Sequence, residues 1–357
     1  MRYETVGSFL PPLELINAKS DVNAGRMSRN AYRLAEDSAV RDIVARQLEA
    51  GLDIVTSGEL RRDAWDKDFY SGLGGISVEH IDGGRVYQPF EVFTDVVKIS
   101  GRISYNPEHP FFNDFAFLQE CVGTKAECRQ CIPSPGDLYL ELLEHAAEVD
   151  AYPGGRAAVA RDIAAAYRRT IERFYSLGCR HIQFDDTACA RLTDPVHVKH
   201  MLLGGVDPGR LAEEVTALIN ESASGRPAGM ELSVYISAGE NVVPDWSSSL
   251  PEILPRLSVD KYFLPFFADA PEALGVLASV PRGRHVVLGL VAAHSPGHED
   301  AELIADAVNA ASAHVPASCL ALSPACGFRL TNFLSRGLVY ADQWRKLKEL
   351  AAIAAAI

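Results

Sequence analysis

Eight short apolar runs in this sequence each end in residues able to do chemistry. The endings are Gly7-Ser8-Phe9, Ser57-Gly58-Glu59-Leu60-Arg61-Arg62, Pro133-Ser134-Pro135, Asp185-Asp186-Thr187, Ser237-Ala238-Gly239-Glu240-Asn241, Phe266-Phe267-Ala268-Asp269, His294-Ser295-Pro296 and Ser323-Pro324-Ala325-Cys326-Gly327-Phe328. Carboxylates, hydroxyls, one imidazole and one thiol are the groups that grip small ions, move protons or attack carbon. Any one of them could be a helix cap or a turn residue, and Asp185 followed by Asp186 means little alone. Their joint occurrence asks for a scaffold that gathers strand ends on one rim.

A parallel barrel does that, because its chemistry is built at the carboxyl ends of the strands. The runs read as strands at Glu4–Phe9, Asp53–Ser57, Glu127–Ile132, His181–Asp185, Glu231–Ile236, Lys261–Phe266, His285–Val291 and Cys319–Ser323. Helical periodicity fills the intervals at about Ser28–Ala50, Asp137–Ala147, Arg156–Leu177, Asp207–Ser222, Ala270–Ala278 and Asp300–His314, with Ala341–Ala355 closing the chain. Asp207 before Pro208 is a sound N-cap with proline at the first helical position. Around residues 79–105 the alternation breaks, and Pro89 with the run Val92–Ile99 suggests a β-hairpin excursion. No GxGxxG follows a strand, which argues against a dinucleotide-binding fold. The expectation is α/β: one (β/α)8 TIM barrel spanning 1–357 as a single domain, with the hairpin inserted after the second strand unit.

Composition narrows the function. The 357 residues carry 34 Lys and Arg against 47 Asp and Glu, a formal charge of −13. That balance disfavours nucleic acid and anionic membranes as partners, since both demand dense positive charge. No apolar run is long enough to span a bilayer, and the first residues lack a signal-peptide layout. A cytoplasmic enzyme acting on a small molecule is expected, with homo-oligomerisation left open. Seven cysteines at irregular spacing read as thiols rather than a disulfide framework. Cys121, Cys128 and Cys131 read as loop thiols near a strand, a metal or redox role being the lesser alternative. Trp65, Phe69, Tyr70 and Trp246 could stack on a flat heterocycle, although packing is the ordinary duty of an aromatic. Arg61 and Arg62 read equally as carboxylate binders or as solvated surface charges.

The strand-end motifs together resemble the cobalamin-independent methionine synthase superfamily, in its short, single-barrel members. The resemblance rests on Val6-Gly-Ser-Phe9, Gln47 through Arg62, Ile132-Pro-Ser-Pro135, Ile182-Gln-Phe-Asp-Asp-Thr187, Val287-Leu-Gly-Leu290 and Leu322 through Phe328. It implies that Ser8, Glu59 and Asp185 hold an amino-acid substrate, with Asp186 and Ser237 as further substrate contacts. Two carboxylates can share one ammonium group, and a hydroxyl can serve a carboxylate. His294 stands where the family has a histidine, which would act in proton transfer or positioning, or merely complete the rim. A methyl-tetrahydrofolate-type donor is implied, with Ser134, Trp65 and Trp246 as candidate contacts to it.

The resemblance also implies a zinc site that this chain does not carry in full. The family binds zinc through His-x-Cys on the fifth strand, Glu after the sixth and Cys after the eighth. Here the first pair reads Tyr235-Ile236-Ser237, the Glu position falls near Pro265 or Phe266, and only Cys326 survives. One thiolate does not make a tetrahedral site, so no metal is expected. A substitute set of Glu240, Asp269, His294 and Cys326 is the exception to be checked. Tyr235 and Ser237 share a strand face, which makes Tyr235, His294 and Cys326 the catalytic candidates. Three functions remain open: methyl transfer without a zinc-activated thiol, a metal-free lyase or hydrolase in the same pocket, and non-catalytic amino-acid binding.

Overall fold

The computed structural model describes residues 1–88, 91–238, 244–246, 250–329 and 337–357, with side chains described outside 81–94. In chain order the strands are β1 (Arg2–Tyr3), β2 (Ile54–Val55), β3 (Gly74–Gln88), β4 (Glu91–Ser104), β5 (Glu127–Pro133), β6 (His181–Asp186), β7 (Glu231–Ile236), β8 (Lys261–Pro265), β9 (His285–Val291) and β10 (Leu320–Pro324). Eight of them form one all-parallel sheet in the order β1-β10-β9-β8-β7-β6-β5-β2. The two outermost strands meet through bonds beyond their ladders. The Phe9 N–H donates to the Gly58 carbonyl (3.0 Å), and the Thr56 hydroxyl to that of Gly7 (3.1 Å). The curled sheet with its helices is the expected TIM barrel, and β3 with β4 is the antiparallel insertion.

Parallel strands in a barrel are covered on both faces and read as nearly continuous apolar runs. Residues of β7 and β8 such as Leu232, Val234, Tyr262, Phe263 and Leu264 are accordingly sealed in one hydrophobic cluster with the helices. The interior also holds charge. Arg129 of β5 is fully buried against the Glu4 carboxylate and donates to the Thr5 carbonyl (2.6 Å). Lys261 of β8 bridges Glu4 (2.7 Å) and Glu231 (2.9 Å), and His181 continues the chain to Glu231 (3.0 Å) and Glu127 (2.6 Å). Burying ions costs solvation that only close pairing repays. The pairing shows in the acids: the cations overcome burial, holding Glu4 below its ordinary range and bringing Glu231 down to about 2.

Several boundaries differ from the sequence reading. The first strand is Arg2–Tyr3 rather than Glu4–Phe9, because β1 finds ladder partners only in Ala321 and Leu322. The hairpin begins at Gly74, five residues before the expected start. The helix expected at Asp137–Ala147 is divided into Pro135–Leu143 and Ala146–Ala151, and the segment at Pro271–Ser279 is a 3₁₀ helix. Helices at Leu13–Asn23, Pro110–Val122 and Pro195–Leu203 were not expected. Asp207 does cap its helix, accepting from the Gly209 and Arg210 N–H groups. Among the described residues no helix is long and apolar enough to cross a membrane.

Candidate functional site

Two buried glutamines fix the loops that begin the site. Gln47, on the helix Arg29–Glu49, accepts from the Thr56 N–H (3.0 Å) and donates to the Thr56 carbonyl (2.8 Å). Gln343, on the helix Tyr340–Ala356, treats Leu10 the same way at 2.7 and 3.2 Å. Each amide satisfies backbone groups that no strand reaches. The segments so pinned lead directly into Ser57-Gly58-Glu59 and out of Gly7-Ser8-Phe9.

Glu59 then turns its carboxylate into the barrel mouth. Its φ of 57° makes it the one non-glycine residue with positive φ among those described. Such a conformation costs energy that the surroundings must hold in place. Position 7 must be glycine for the carboxylate to fit, because a Cβ there would lie 2.8 Å from Glu59 Oε1. Arg62 Nη1 stands 3.1 Å from Glu59 Oε2, and Nη2 of the same buried guanidinium donates to the Cys131 carbonyl. Arg62 is thus buried against Glu59 and is not a solvated surface charge. Arg61 is buried too, but it faces away, paired with Asp37 and Asp114 (2.8 Å for the latter).

Asp185, at the end of β6, faces Glu59. The ligand atoms of Glu59, Cys131 and Asp185 all lie within 4.8 Å of one another. The Gln183 amide donates to Asp185 Oδ1 (2.7 Å) and to the Val6 carbonyl (2.7 Å). Burial first, and then the Glu59 charge, push the Asp185 carboxyl up to about 8. Burial likewise drives the Cys131 thiol well above its ordinary range, with the two acids adding to it. Cys131 is therefore no loop thiol: it lies on β5 beside Glu59 and Asp185. It was missed because a fully buried strand shows no alternation to say which face a residue takes.

Asp186 is placed apart from this pair. Successive strand residues point to opposite faces, and Asp186 accepts from the Cys189 N–H (2.8 Å) against the Ser134 hydroxyl on the helical side. Asp137 lies beside it, bound by the Thr187 hydroxyl (2.5 Å) and N–H (3.0 Å). Ser134, fully buried, caps the helix Pro135–Leu143 through the Gly136 N–H (3.2 Å). Ser134 and Asp186 thereby anchor helices rather than border the pocket. Trp246 is buried on Phe266, with ring centroids 5.1 Å apart, and its indole donates to the Pro265 carbonyl (3.2 Å). Trp65 is 39% exposed.

Ser8 and Tyr235 border the site on the β10 side. Ser8 Oγ is 3.5 Å from the Arg329 carbonyl, and the Ser8 carbonyl accepts from the Phe328 N–H (2.8 Å). Gly327 packs so closely that a Cβ would fall 2.1 Å from Ser8 Oγ. Tyr235 is the register partner of Asp185, and its phenol donates to the Ala325 carbonyl (3.2 Å). Burial raises it well above the ordinary phenol range, Cys326 adds to this, and the Ser237 hydroxyl opposes it. Cys326 and Ser237 are both buried next to it. His294 is half-buried on the turn after β9.

These residues do not fit a zinc ion at the position the resemblance implied. The Tyr235 phenol is committed to a carbonyl, Pro265 and Phe266 offer no ligand atom, and Asp269 is exposed. Glu240 lies outside the described residues. Among those described, the set close enough to share an ion is Glu59, Cys131 and Asp185, at a different place.

Comparison with known proteins bears on the family and the fold. Residues 149–335 match the family model described as cobalamin-independent synthase, catalytic domain. The uncharacterized protein YxjH of Bacillus subtilis (strain 168) is 30% identical over 360 residues, covering 99% of this chain and 93% of that one. A Listeria monocytogenes structure, provisionally assigned as a vitamin-B12 independent methionine synthase, superposes with a TM-score of 0.77 at 30% identity, over 100% and 97% of the two chains. The 5-methyltetrahydropteroyltriglutamate–homocysteine methyltransferase of Syntrophotalea carbinolica is 23% identical over 91% of this chain, which spans 40% of that longer protein. With a matched model across more than half its length and full-length relatives at this identity, the chain belongs to the cobalamin-independent synthase family, through its catalytic domain.

Proposed function

We propose that the chain, as one barrel over 1–357, is a methyltransferase acting on a small amino-acid-like molecule whose ammonium group sits between Glu59 and Asp185. The observation that carries this reading is the convergence of two carboxylates and a thiol within 4.8 Å, at the carboxyl ends of barrel strands. Two acids so close cannot both ionise cheaply, and the raised Asp185 carboxyl records that cost. An ammonium group between them would remove the repulsion and donate hydrogen bonds to both. Ser8, on the adjoining loop, serves the carboxylate of the same molecule in this reading.

The donor in this reading is a methyl-tetrahydrofolate. Its N5–methyl bond breaks, the methyl group passes to the acceptor, and N5 regains a proton. Tyr235 can only donate in such a step, because a phenol held well above its ordinary range keeps its proton near neutral pH. Cys326 and His294 are the remaining candidates for handling the acceptor. In this reading the acceptor is activated without zinc at the position the resemblance implied, where Tyr235, Pro265 and Phe266 stand in place of its ligands.

The test is incubation with methyl-tetrahydrofolate and a panel of thiol, amine and hydroxyl acceptors built on an amino-acid frame. Stoichiometric demethylation of the folate with one acceptor is expected, and its loss in Glu59→Ala. Binding of amino acids with no demethylation by any acceptor would refute the methyltransferase assignment and leave a binding protein.

A further inference from the structure

We propose that Arg62 is the positioning residue of the amine pocket: its guanidinium fixes Glu59 against Asp185 and balances one of their two charges, so that the pocket takes a single monocationic ammonium head group. This rests on the reading of Glu59 and Asp185 as an amine site. Arg62 is held on three sides. Its guanidinium pairs with Glu59 (3.1 Å), donates to the Cys131 carbonyl and lies over the Phe111 ring at 4.8 Å. Its own carbonyl accepts from Arg329 Nη1 (2.8 Å). A buried planar fork held in this way sets direction as well as charge.

The charges facing Asp185 can be counted. The β2 turn supplies Glu59 and Arg62, β5 supplies Cys131 and the more distant Arg129, β6 supplies the neutral Gln183, and β7 supplies Tyr235. Arg129 is already matched by Glu4. The thiol and phenol stay neutral, because burial raises both. Against Glu59 and Asp185 there remains one guanidinium. The empty pocket is neutral when Asp185 keeps its proton, and the filled pocket is neutral when an ammonium ion replaces that proton. Each amine that binds below about pH 8 should therefore expel close to one proton.

Calorimetry with L-methionine, in buffers of different ionisation enthalpy between pH 6 and 9, reads this directly. The hydroxyl analogue 2-hydroxy-4-(methylthio)butanoate is the control for the amine. Wild type should release a proton on binding methionine and bind the analogue far more weakly. Arg62→Gln should bind methionine about tenfold or more weakly, the worth of one charge-assisted contact. Its binding midpoint should also move to higher pH, since Asp185 then holds its proton more firmly. Arg62→Lys keeps the charge and loses the fork, so the midpoint should stay while affinity falls. Unchanged affinity and midpoint in Arg62→Gln would overturn the role of Arg62 with the amine pocket intact. Should Arg62→Gln fail to fold, unchanged affinity in Arg62→Lys would overturn it. Equal binding of methionine and its hydroxyl analogue by wild type would overturn the amine site itself, and this proposal with it.

Discussion

Replacing Asp185 by asparagine should stabilise the unliganded protein while destroying its amine site, and the gain should depend on pH. An aspartate in the unfolded chain titrates near 3.8, whereas the folded group titrates at about 8. Below pH 4 both states hold the proton, and Asp185 costs nothing. Between pH 4 and 8 the unfolded chain binds fewer protons than the folded one, so stability falls as pH rises. At pH 7 the difference of about 3 units corresponds to an upper bound of about 4 kcal/mol. Asp185 is partly accessible at the mouth, and solvent screening reduces the recoverable part to roughly 1–3 kcal/mol. Asparagine keeps the acceptor for Gln183 Nε2 and turns an amide N–H toward Glu59, so it removes the titration without leaving an orphan. Thermal unfolding at one scan rate, at pH 5 and pH 8, gives the answer. The variant should melt a few degrees above wild type at pH 8, with a smaller gain at pH 5. A variant no more stable than wild type at pH 8, or a gain equal at both values, would refute the argument.

Two other substitutions probe the scaffold and the missing metal. Gln47→Ala leaves the Thr56 N–H and carbonyl without their buried partner, which should cost about 2–4 kcal/mol and lower amine affinity several-fold through Glu59; urea unfolding beside calorimetry checks both, and an affinity equal to wild type would separate the loop from the site. Elemental analysis of the purified protein should find no stoichiometric zinc, whereas Tyr235→His with Ser237→Cys puts two ligand types beside Cys326 and should raise zinc affinity at least tenfold in competition with a chromogenic chelator. Equal zinc in both proteins would show that the metal sits elsewhere.

Much of the fold could be read because strand runs, helical stripes and turn residues alternate, and each signal is local. The β6 to β9 strands were placed within a residue or so. The first strand was not, since a strand is only as long as its partner allows, and β10 offers β1 two residues. Within the site, the Glu59 and Asp185 positions were legible from their motifs. Period-two alternation already said that Asp185 and Asp186 cannot face the same side, and placing both at the substrate disregarded it. The contacts of Cys131, Arg62 and Gln47 were not legible for a different reason, although Arg62 had been read as either a carboxylate binder or a solvated charge. Cys131 lies on a strand buried on both faces, where alternation is silent. Arg62 and Gln47 matter through the Cys131 and Thr56 backbones, 69 and 9 residues away, and no composition or spacing encodes such contacts. The same holds for Arg61, whose partners Asp37 and Asp114 lie on separate helices.

The proposed amine site and the position at which the resemblance implies a metal meet at one pair of neighbours. Tyr235 is the register partner of Asp185, and Asp185 adds to the raising of the phenol after burial and Cys326. Two groups that both keep their protons tolerate such contact. A divalent ion held at position 235 would not leave this balance alone, because its field would favour the ionised carboxylate and draw Asp185 down. A barrel with the metal would then present Glu59 and Asp185 both charged, already prepared for ammonium, with no proton to expel. With a phenol there instead, Asp185 holds its proton until the amine arrives, and binding becomes pH-dependent. It follows that Tyr235→His with Ser237→Cys, once loaded with zinc, should lower the pH midpoint for methionine binding without any change at Glu59, Arg62 or Asp185. A midpoint that stays in place after zinc loading would show that the two halves act independently.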